Sequence, residues 1–266
     1  MRDSAEKSVL AVDVGNTVTD LGLFAGDGLV GTWKLTTPER LTADEAWLRL
    51  REVLGSLGVD DAALNGAILG CVVPPLSDAW REALSRVCGA RPLVVGPGLR
   101  SGVRMRYDDP AEVGADRVAD VVAARERYGS PVVVVDLGTT TNFEVIDEAG
   151  DFIGGIIAPG VALGARSLNA AAARLPMIEL RAPSSVIGRN TRAAMESGVV
   201  LGEVARIDGL LDAIASETGR HAPVVLTGDG APEIAQLLRH EVRVDETLAL
   251  RGLHGIWKAN QRPPRA

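Results

Sequence analysis

Two stretches of the chain begin with the same pattern of hydrophobic and polar residues. The hydrophobic run Val9–Val12 ends at Asp13, and the run Val132–Val135 ends at Asp136, 123 residues later. After each aspartate come a glycine two positions on, an alternating hydrophobic stretch, a turn containing Gly-Asp and a third hydrophobic run. This pattern predicts three strands joined by tight turns. Because it occurs twice in matching context, it predicts a duplicated α/β unit.

Outside the repeats, the hydrophobic spacing alternates between that of helices and that of strands. Helices are predicted at 43–57, 76–88, 114–127, 161–173, within 188–217, at 232–239 and at 247–258, and strands at 66–73, 92–95, 223–227 and 241–244. This alternation predicts an α/β fold in which helices cover mixed sheets. The turn-forming residues 128–131 predict domains at 1–129 and 130–258, followed by a tail at 259–266.

Composition narrows the class of protein. The 266 residues are 46% hydrophobic, 24% charged and only 3% aromatic, which predicts an aliphatic core and excludes disorder, collagen and coiled coil. The net charge of −7 argues against nucleic acid or an anionic membrane as partner. Any phosphate ligand should therefore be held by backbone amides and metal ions rather than by a basic patch.

The apolar runs and the cysteines of the sequence indicate the cellular compartment. No apolar run approaches the roughly 18 residues of a membrane span, and Val9–Val12 is too short for the core of a signal peptide. Cys71 and Cys88 lack the C-x-x-C spacing and are predicted to be structural thiols. We therefore expect a cytoplasmic protein.

The loop after the first strand, residues 13–17, is a candidate phosphate site. An aspartate at the end of a buried strand is costly unless it meets a cation or several donors, which makes Asp13 informative. Gly15 lets the backbone approach a ligand closely, and Asn16 and Thr17 add side-chain donors to the exposed amides. An ordinary β-hairpin is the alternative, and the repeat makes it less favoured.

The loop after the second repeat's first strand has the same chemistry. Asp136, Gly138 and three threonines from Thr139 onwards follow the buried run. Two such loops facing each other would hold a nucleotide triphosphate and its metal ion. Neither a P-loop nor a G-x-G-x-x-G sequence occurs, so those two nucleotide sites are disfavoured.

Asp116 and Arg117 lie in the first turn of the helix predicted at 114–127. In one interpretation Asp116 caps this helix, whose N-terminus keeps the aspartate pKa low, and Arg117 pairs with Glu112. In the other, Asp116 is the base that accepts the proton of a substrate hydroxyl as it attacks phosphorus. The glycine-rich turns at 154–160 and 228–230 are likewise either structural or part of a ligand site.

Taken in order, these motifs resemble the type III pantothenate kinases over residues 9–256. The matching elements are D-V-G-N-T, C-V-V-P-P-L, Y-x-x-P-x-E-V-G-A-D-R, D-L-G-T-T-T-N-F, G-G-I-I-A-P-G, I-G-R-N-T and a terminal L-x-L-x-G-L. The resemblance implies two ribonuclease-H-like halves of the acetate/sugar kinase–Hsp70–actin type.

The resemblance also implies site residues. Asp116 matches the proton acceptor, Asp136 a site for a monovalent cation (K⁺ or NH₄⁺), and Asp13 a position near Mg²⁺, reached through phosphate or water. The ATP-binding residues would be Asp13, Gly15, Asn16, Thr17 and Thr139. The pantothenate-binding residues would be Tyr107, Gly114, Ala115, Asp116, Arg117 and, from the partner of a homodimer, Thr191.

Two positions depart from the family pattern. The adenosine-side turn Thr227-Gly228-Asp229-Gly230 carries a carboxylate where the family usually has an apolar residue after two glycines, which could weaken nucleotide binding. Asp20 stands where some relatives have lysine.

The function implied is ATP-dependent phosphorylation of pantothenate to 4'-phosphopantothenate, the first step of coenzyme A biosynthesis. Two alternatives stay open: a non-catalytic regulatory or accessory protein on the same scaffold, and another phosphotransferase of the acetate/sugar-kinase superfamily.

Overall fold

The structure, a computed structural model, describes residues 8–56, 58, 64–171, 176, 178 and 181–261. The described residues form two compact units: the first contains those up to Glu126 and those from Thr247 onwards, and the second is Arg127–Glu246. The predicted boundary at 128–131 lies close to the point where the first unit passes into the second, between Glu126 and Arg127. Residues 247–258, which the predicted domains assigned to the second half, group with the first unit.

The elements follow one another in the predicted order. The strands are β1 (Ser8–Val14), β2 (Val18–Ala25), β3 (Gly28–Thr36), β4 (Leu64–Cys71), β5 (Leu93–Val94), β6 (Val132–Leu137), β7 (Thr140–Ile146), β8 (Phe152–Pro159), β9 (Val224–Gly228) and β10 (Val242–Val244). The helices are α1 (Ala43–Ser56), α2 (Pro74–Cys88), α3 (Ala115–Tyr128), α4 (Val161–Ala171), α5 (Thr191–Glu196), α6 (Gly202–Thr218), α7 (Ala231–Ala235) and α8 (Leu248–Ala259). A π-helical segment, Ser197–Leu201, joins α5 to α6.

The two sheets have the same topology. The first has the order β3-β2-β1-β4-β5, and the second has the equivalent order β8-β7-β6-β9-β10. In each, the first strand runs antiparallel to the second and parallel to the fourth. The duplicated unit predicted from the two aspartate-terminated runs is therefore confirmed.

Alternation along β1 separates two hydrophobic cores in the first unit. Leu10, Val12 and Val14 face one core, which contains residues of α1 and α2. Val9 and Ala11 face the other, which contains residues of α3 and α8. Since successive side chains of a strand point to opposite faces, Asp13 lies on the α3 and α8 face.

Helix α8 packs so closely against α3 that there is no room for a side chain at Gly252. A Cβ atom at Gly252 would collide with the carbonyl oxygen of Ala119. Leu250 and Leu253 pack with Ala119 and Val122 in one core. Helix α8 is therefore held on the first unit by a glycine contact and an apolar cluster.

In the second unit, one face of the sheet is covered by the helix that ends the long predicted segment 188–217. Val133, Val135 and Leu137 of β6 pack against a cluster that includes Val204 and Ile207 of α6. Asp136, which lies between Val135 and Leu137, therefore points away from α6. Among the described residues, none of the helices has both the length and the apolar character of a membrane span.

Candidate active site

The end of β1 carries the first candidate loop. Asp13 is half-buried, and a Cβ atom at Gly70 of neighbouring β4 would lie 3.1 Å from its Oδ1 atom. At Gly15, a Cβ atom would lie 2.9 Å from the Val18 carbonyl oxygen, so this turn needs glycine. Asn16 and Thr17 are exposed at its tip. The loop thus presents backbone and polar side chains next to a partly shielded carboxylate.

Asp116 is the second residue of α3, and its Oδ1 accepts a hydrogen bond of 2.7 Å from the backbone N–H of Arg117. Burial raises the pKa of this carboxyl above its usual value, although the backbone hydrogen bond and the charge of Arg117 act in the opposite direction. The expectation that the helix N-terminus keeps this pKa low is therefore wrong, because burial outweighs the helix. A raised pKa suits a group that must accept a proton.

Arg117, the residue after Asp116, lies against Tyr107. The Arg117 side chain is buried, and its guanidinium carbon is 5.9 Å from the centre of the half-buried Tyr107 ring. This is the distance of a cation–π contact. Two residues that the family resemblance assigns to pantothenate are thus in contact with each other in the first unit.

A cavity of about 630 Å³ opens next to the start of α3. Its described lining residues are Cys71, Val72, Val95, Gly96, Pro97, Gly98, Leu99, Ser101, Val103, Met105, Pro110, Ala111, Val113, Gly114, Ala115, Val118 and Ile256. Gly114 and Ala115, which lead into Asp116, form part of its wall. The volume is that of a small-molecule site, and none of these described lining residues is charged.

Cys71 connects this cavity to Asp13. The thiol donates a hydrogen bond of 3.3 Å to the Val73 carbonyl oxygen. Burial raises the pKa of the thiol above its usual value, and the negative charge of Asp13 raises it further. The thiol is therefore protonated at neutral pH, and the field of Asp13 reaches the edge of the cavity.

In the second unit, two glycine-containing turns pack against the Asp136 loop. A Cβ atom at Gly160 would collide with the Gly138 carbonyl oxygen, and one at Gly228 would lie 2.6 Å from Oδ1 of Asp136. The backbone N–H of Asp229 donates to the Leu137 carbonyl oxygen at 2.7 Å. The structure thus brings the predicted adenosine-side turn and the G-G-I-I-A-P-G turn directly against the second aspartate loop.

Thr139 belongs to this cluster through its backbone. The Gly160 N–H donates to the Thr139 carbonyl oxygen at 3.1 Å, and the Gly138 N–H donates to the Thr140 carbonyl oxygen at 3.0 Å. These bonds close the tip of the loop between β6 and β7.

Thr191 lies elsewhere in the second unit, as the first residue of α5. The side chain of Asn190 caps this helix by accepting a hydrogen bond of 2.9 Å from the backbone N–H of Ala193. Thr191 is exposed, and so are Val186 and Ile187 in the preceding segment, with 74% and 78% of their surfaces accessible.

The sequence pattern gave no indication of the pair formed by Glu203 and Arg206 near the second loop. Glu203 of α6 is buried; it accepts a hydrogen bond from Thr141 and pairs with Arg206. The available signal was an acid placed next to Val204, on the apolar side of an amphipathic helix.

Comparison with known proteins agrees with these features. A family model described as type III pantothenate kinase matches residues 9–213. The type III pantothenate kinase of Moorella thermoacetica is 41% identical over 95% of this chain and 99% of its own length. That of Anaeromyxobacter sp. strain K is 40% identical over 95% of this chain and 100% of its own length.

Solved structures support the fold. A protein from Campylobacter jejuni described as a conserved putative Baf family transcriptional activator aligns with a TM-score of 0.59 and 19% identity, over 94% of this chain and 98% of its own. The ROK hexokinase from Thermus thermophilus aligns with a TM-score of 0.51 and 14% identity, over 95% of this chain and 98% of its own. The expected fold of the acetate/sugar kinase–Hsp70–actin type is confirmed.

Proposed function

The chain belongs to the type III pantothenate kinase family, and we propose that Asp116 and the two aspartate loops carry out its reaction. The protein is a phosphotransferase that transfers a phosphoryl group from ATP to pantothenate, giving 4'-phosphopantothenate in the first step of coenzyme A biosynthesis. The enzyme class and function expected from the sequence are thereby confirmed. Which residues perform the reaction is the proposal.

Asp116 is the proposed base. The observation that carries this role is its position: a half-buried carboxyl with a raised pKa, directly after two residues that line the cavity of the first unit. Asp116 takes the proton of the pantothenate hydroxyl as that oxygen attacks phosphorus. Tyr107, Gly114, Ala115 and Arg117 hold the pantothenate in place.

The two aspartate loops are the proposed ATP-binding elements. Gly15, Asn16 and Thr17 of the first loop and Thr139 of the second contact the phosphates through backbone amides and side-chain donors. The turns at Gly160 and Gly228 have no room for a side chain, which suits loops that must keep one backbone shape around a ligand.

The residues present also fit the expected metal ions. Mg²⁺ commonly keeps several waters and binds substrate phosphates, so Asp13 would hold it through a phosphate or a water. The Asp136 carboxylate is the proposed site for K⁺ or NH₄⁺. When bound, these cations would neutralise charge on the phosphates.

A homodimer is proposed in which Thr191 of one chain completes the pantothenate site of the other. The exposed side chains of Val186 and Ile187 support this, because exposed apolar residues next to a proposed substrate residue suit a protein interface. Gly198 of the π-helical segment and Gly202 of α6 have open space where a Cβ would lie, which would let another helix approach. A cytoplasmic location remains a prediction.

Activity is tested by an assay that couples ADP release to a spectroscopic signal, with Mg²⁺-ATP and either K⁺, NH₄⁺ or Na⁺. ADP release should require pantothenate and should be faster with K⁺ or NH₄⁺ than with Na⁺. Glucose, acetate and polyphosphate serve as competing acceptors. Faster turnover of a sugar would overturn the choice of pantothenate, and tight ATP binding without ADP release would favour a regulatory protein.

Site sharing is tested by mixing two inactive variants, Asp116→Asn and Thr191→Ala, after subunit exchange. If Thr191 acts in the partner's site, a mixed dimer has one site with both residues intact, and activity reappears on mixing. If Thr191 acts within its own chain, every site in the mixture stays defective. Absence of recovery in proven heterodimers would contradict the proposed arrangement.

A further inference from the structure

Two buried threonines occupy equivalent positions in the two sheets. Thr19 lies opposite Val14 in the β1–β2 ladder, and Thr141 lies opposite Leu137 in the β6–β7 ladder, each just after its aspartate loop. In the first unit, the hydroxyl oxygen of Thr19 is 2.8 Å from that of Thr37. In the second unit, the Thr141 hydroxyl donates instead to Oε1 of Glu203, at 2.5 Å. The buried threonine hydroxyl thus bonds to a neutral hydroxyl in the first unit and to a carboxylate in the second.

Burying the Glu203 carboxylate costs more free energy than burying a neutral hydroxyl. Glu203 is 4% exposed, and burial raises its pKa although the Thr141 hydrogen bond and Arg206 act against this. Buried ion pairs often add little stability compared with apolar residues of similar size. The pair formed by Thr19 and Thr37 shows that a buried threonine hydroxyl in this fold does not need an acid. The Glu203–Arg206 pair therefore calls for a reason other than stability.

The geometry provides one. Besides pairing with Glu203, Nη2 of Arg206 donates to the Pro159 carbonyl oxygen at 2.5 Å. Pro159 lies opposite Thr140 in the β7–β8 ladder, and the next residue, Gly160, donates to the Thr139 carbonyl oxygen. Glu203 thus reaches β7 through Thr141 and β8 through Arg206. Both attachments lie at the β7 end of the 137–140 loop: Thr141 directly follows the loop, and Pro159 pairs with its last residue, Thr140.

We infer that Glu203 is a positioning residue that holds the β7 end of the 137–140 loop, directly through Thr141 and, through Arg206, at Pro159 of the neighbouring strand β8. This inference rests on the proposed role of that loop in binding ATP. Glu203 itself lies on the α6 face of the sheet, opposite to the face of Asp136, and does not act on substrate. Its loss should change the fit of the loop to ATP and leave the pantothenate site of the first unit unchanged.

The test is the steady-state kinetics of Glu203→Gln, which keeps the size of the side chain and removes its charge. The KM for ATP should rise roughly tenfold or more, since small misplacements of binding groups are costly. The kcat at saturating ATP and the KM for pantothenate should keep their wild-type values. The matched control is Glu217→Gln, an exposed acid on the same helix, which should leave all three constants unchanged.

A second variant guards against a folding defect. Thr141→Val removes the hydroxyl but leaves the Glu203–Arg206 pair, and it should raise the KM for ATP in the same direction. The double variant should show less than the product of the two single effects, because both residues support the same loop.

The outcomes separate the inference from the proposed function. If the wild-type protein and Glu217→Gln both lack pantothenate-dependent ADP release, the proposed function fails. If they are active and folded Glu203→Gln has an unchanged KM for ATP, the inference is overturned. It is overturned as well if the KM values for ATP and pantothenate rise equally, because a general loosening of the protein would do that. Should Glu203→Gln not fold, an unchanged KM for ATP in Thr141→Val overturns it.

Discussion

The carboxylate of Asp116 lies against the backbone of Gly114, so closely that a Cβ atom at position 114 would collide with its Oδ1 atom. The same oxygen accepts the backbone N–H of Arg117. Gly114 thus allows the half-buried Asp116 side chain to fold back over the start of α3. Because the obstructing atom is the end of a side chain, a residue larger than glycine would move the carboxylate and leave the helix in place.

Gly114→Ala should therefore act on catalysis more than on folding. We expect kcat to fall roughly 10- to 100-fold because the base is displaced from the substrate hydroxyl. The melting temperature should change little. The control is Gly55→Ala, where a Cβ atom meets nothing within 4 Å, and which should have wild-type kcat. Wild-type turnover in Gly114→Ala would show that the position of the carboxylate is not critical.

Asp116→Asn should separate activity from stability. We expect kcat to fall on the order of 10²- to 10⁴-fold, since the general base is lost. The folded-state pKa of Asp116 is raised, so its stabilising contribution is complete only below the unfolded pKa and is lost as pH rises through the folded pKa.

Above its unfolded pKa Asp116 therefore costs stability, and at pH 7.5 the asparagine variant should melt at the same temperature as wild type or higher. Thermal denaturation followed by circular dichroism at pH 7.5 and pH 4 measures this, and any advantage should shrink at pH 4. A variant that unfolds more easily at pH 7.5 would argue that the carboxylate is a structural cap. Near-normal turnover would remove Asp116 from the mechanism.

Asp208 should have the opposite pH dependence. Burial raises its pKa, but hydrogen bonds from His240 and from the backbone N–H groups of Arg239 and His240, together with the Arg239 charge, more than offset burial and hold the pKa below its usual value. Its contribution is therefore present above the unfolded pKa and is lost as pH falls through the folded value.

Asp208→Asn should cost about 2 kcal/mol of unfolding free energy at pH 7, and the difference should narrow in acid. Urea denaturation at pH 7 and pH 4 checks both statements. Asp78→Asn, which breaks an exposed ion pair with Arg81, should have almost no effect at either pH. A loss that stays constant with pH would contradict the role of the charge.

The contact between α8 and α3 can be tested with a pair of glycine substitutions. Gly252→Ala places a Cβ against the Ala119 carbonyl oxygen and should destabilise the protein by about 2 kcal/mol or more, because backbone must move. Gly209→Ala in the middle of α6, where a Cβ meets nothing within 4 Å, should be neutral or stabilising by about 0.5–1 kcal/mol. Chemical denaturation compares the two. Equal stabilities would show that α8 can move away from α3 at no cost.

The strands and helices were largely predictable because their signals are local. Val9–Val12 and Val132–Val135 lie in buried strands that end one residue after their aspartates, at Val14 and Leu137, close to what β-branched runs followed by D-x-G predict. The helix predicted at 232–239 is shorter, and α7 ends at Ala235. The expected proline lies in its first turn, but residues 236–239 do not continue the helix.

The candidate site was predictable only as a set of residue types. Asp13, Asp116 and Asp136 could be named because each follows or begins a clear element. The raised pKa of Asp116 could not be predicted from the sequence, because it depends on how much of the side chain the folded protein covers. Glu203 was overlooked for a related reason: its partner Thr141 lies 62 residues away in sequence.

By itself, the sequence determined the duplicated unit, the order of the elements and the family, since hydrophobic period, turn residues and motif order are written along the chain. Only the tertiary structure decided that α8 packs on the first unit, that burial outweighs the helix N-terminus at Asp116, and that a buried acid supports the second loop. Each of these depends on contacts between residues far apart in the chain. Such contacts set burial and close packing, and no local pattern records them.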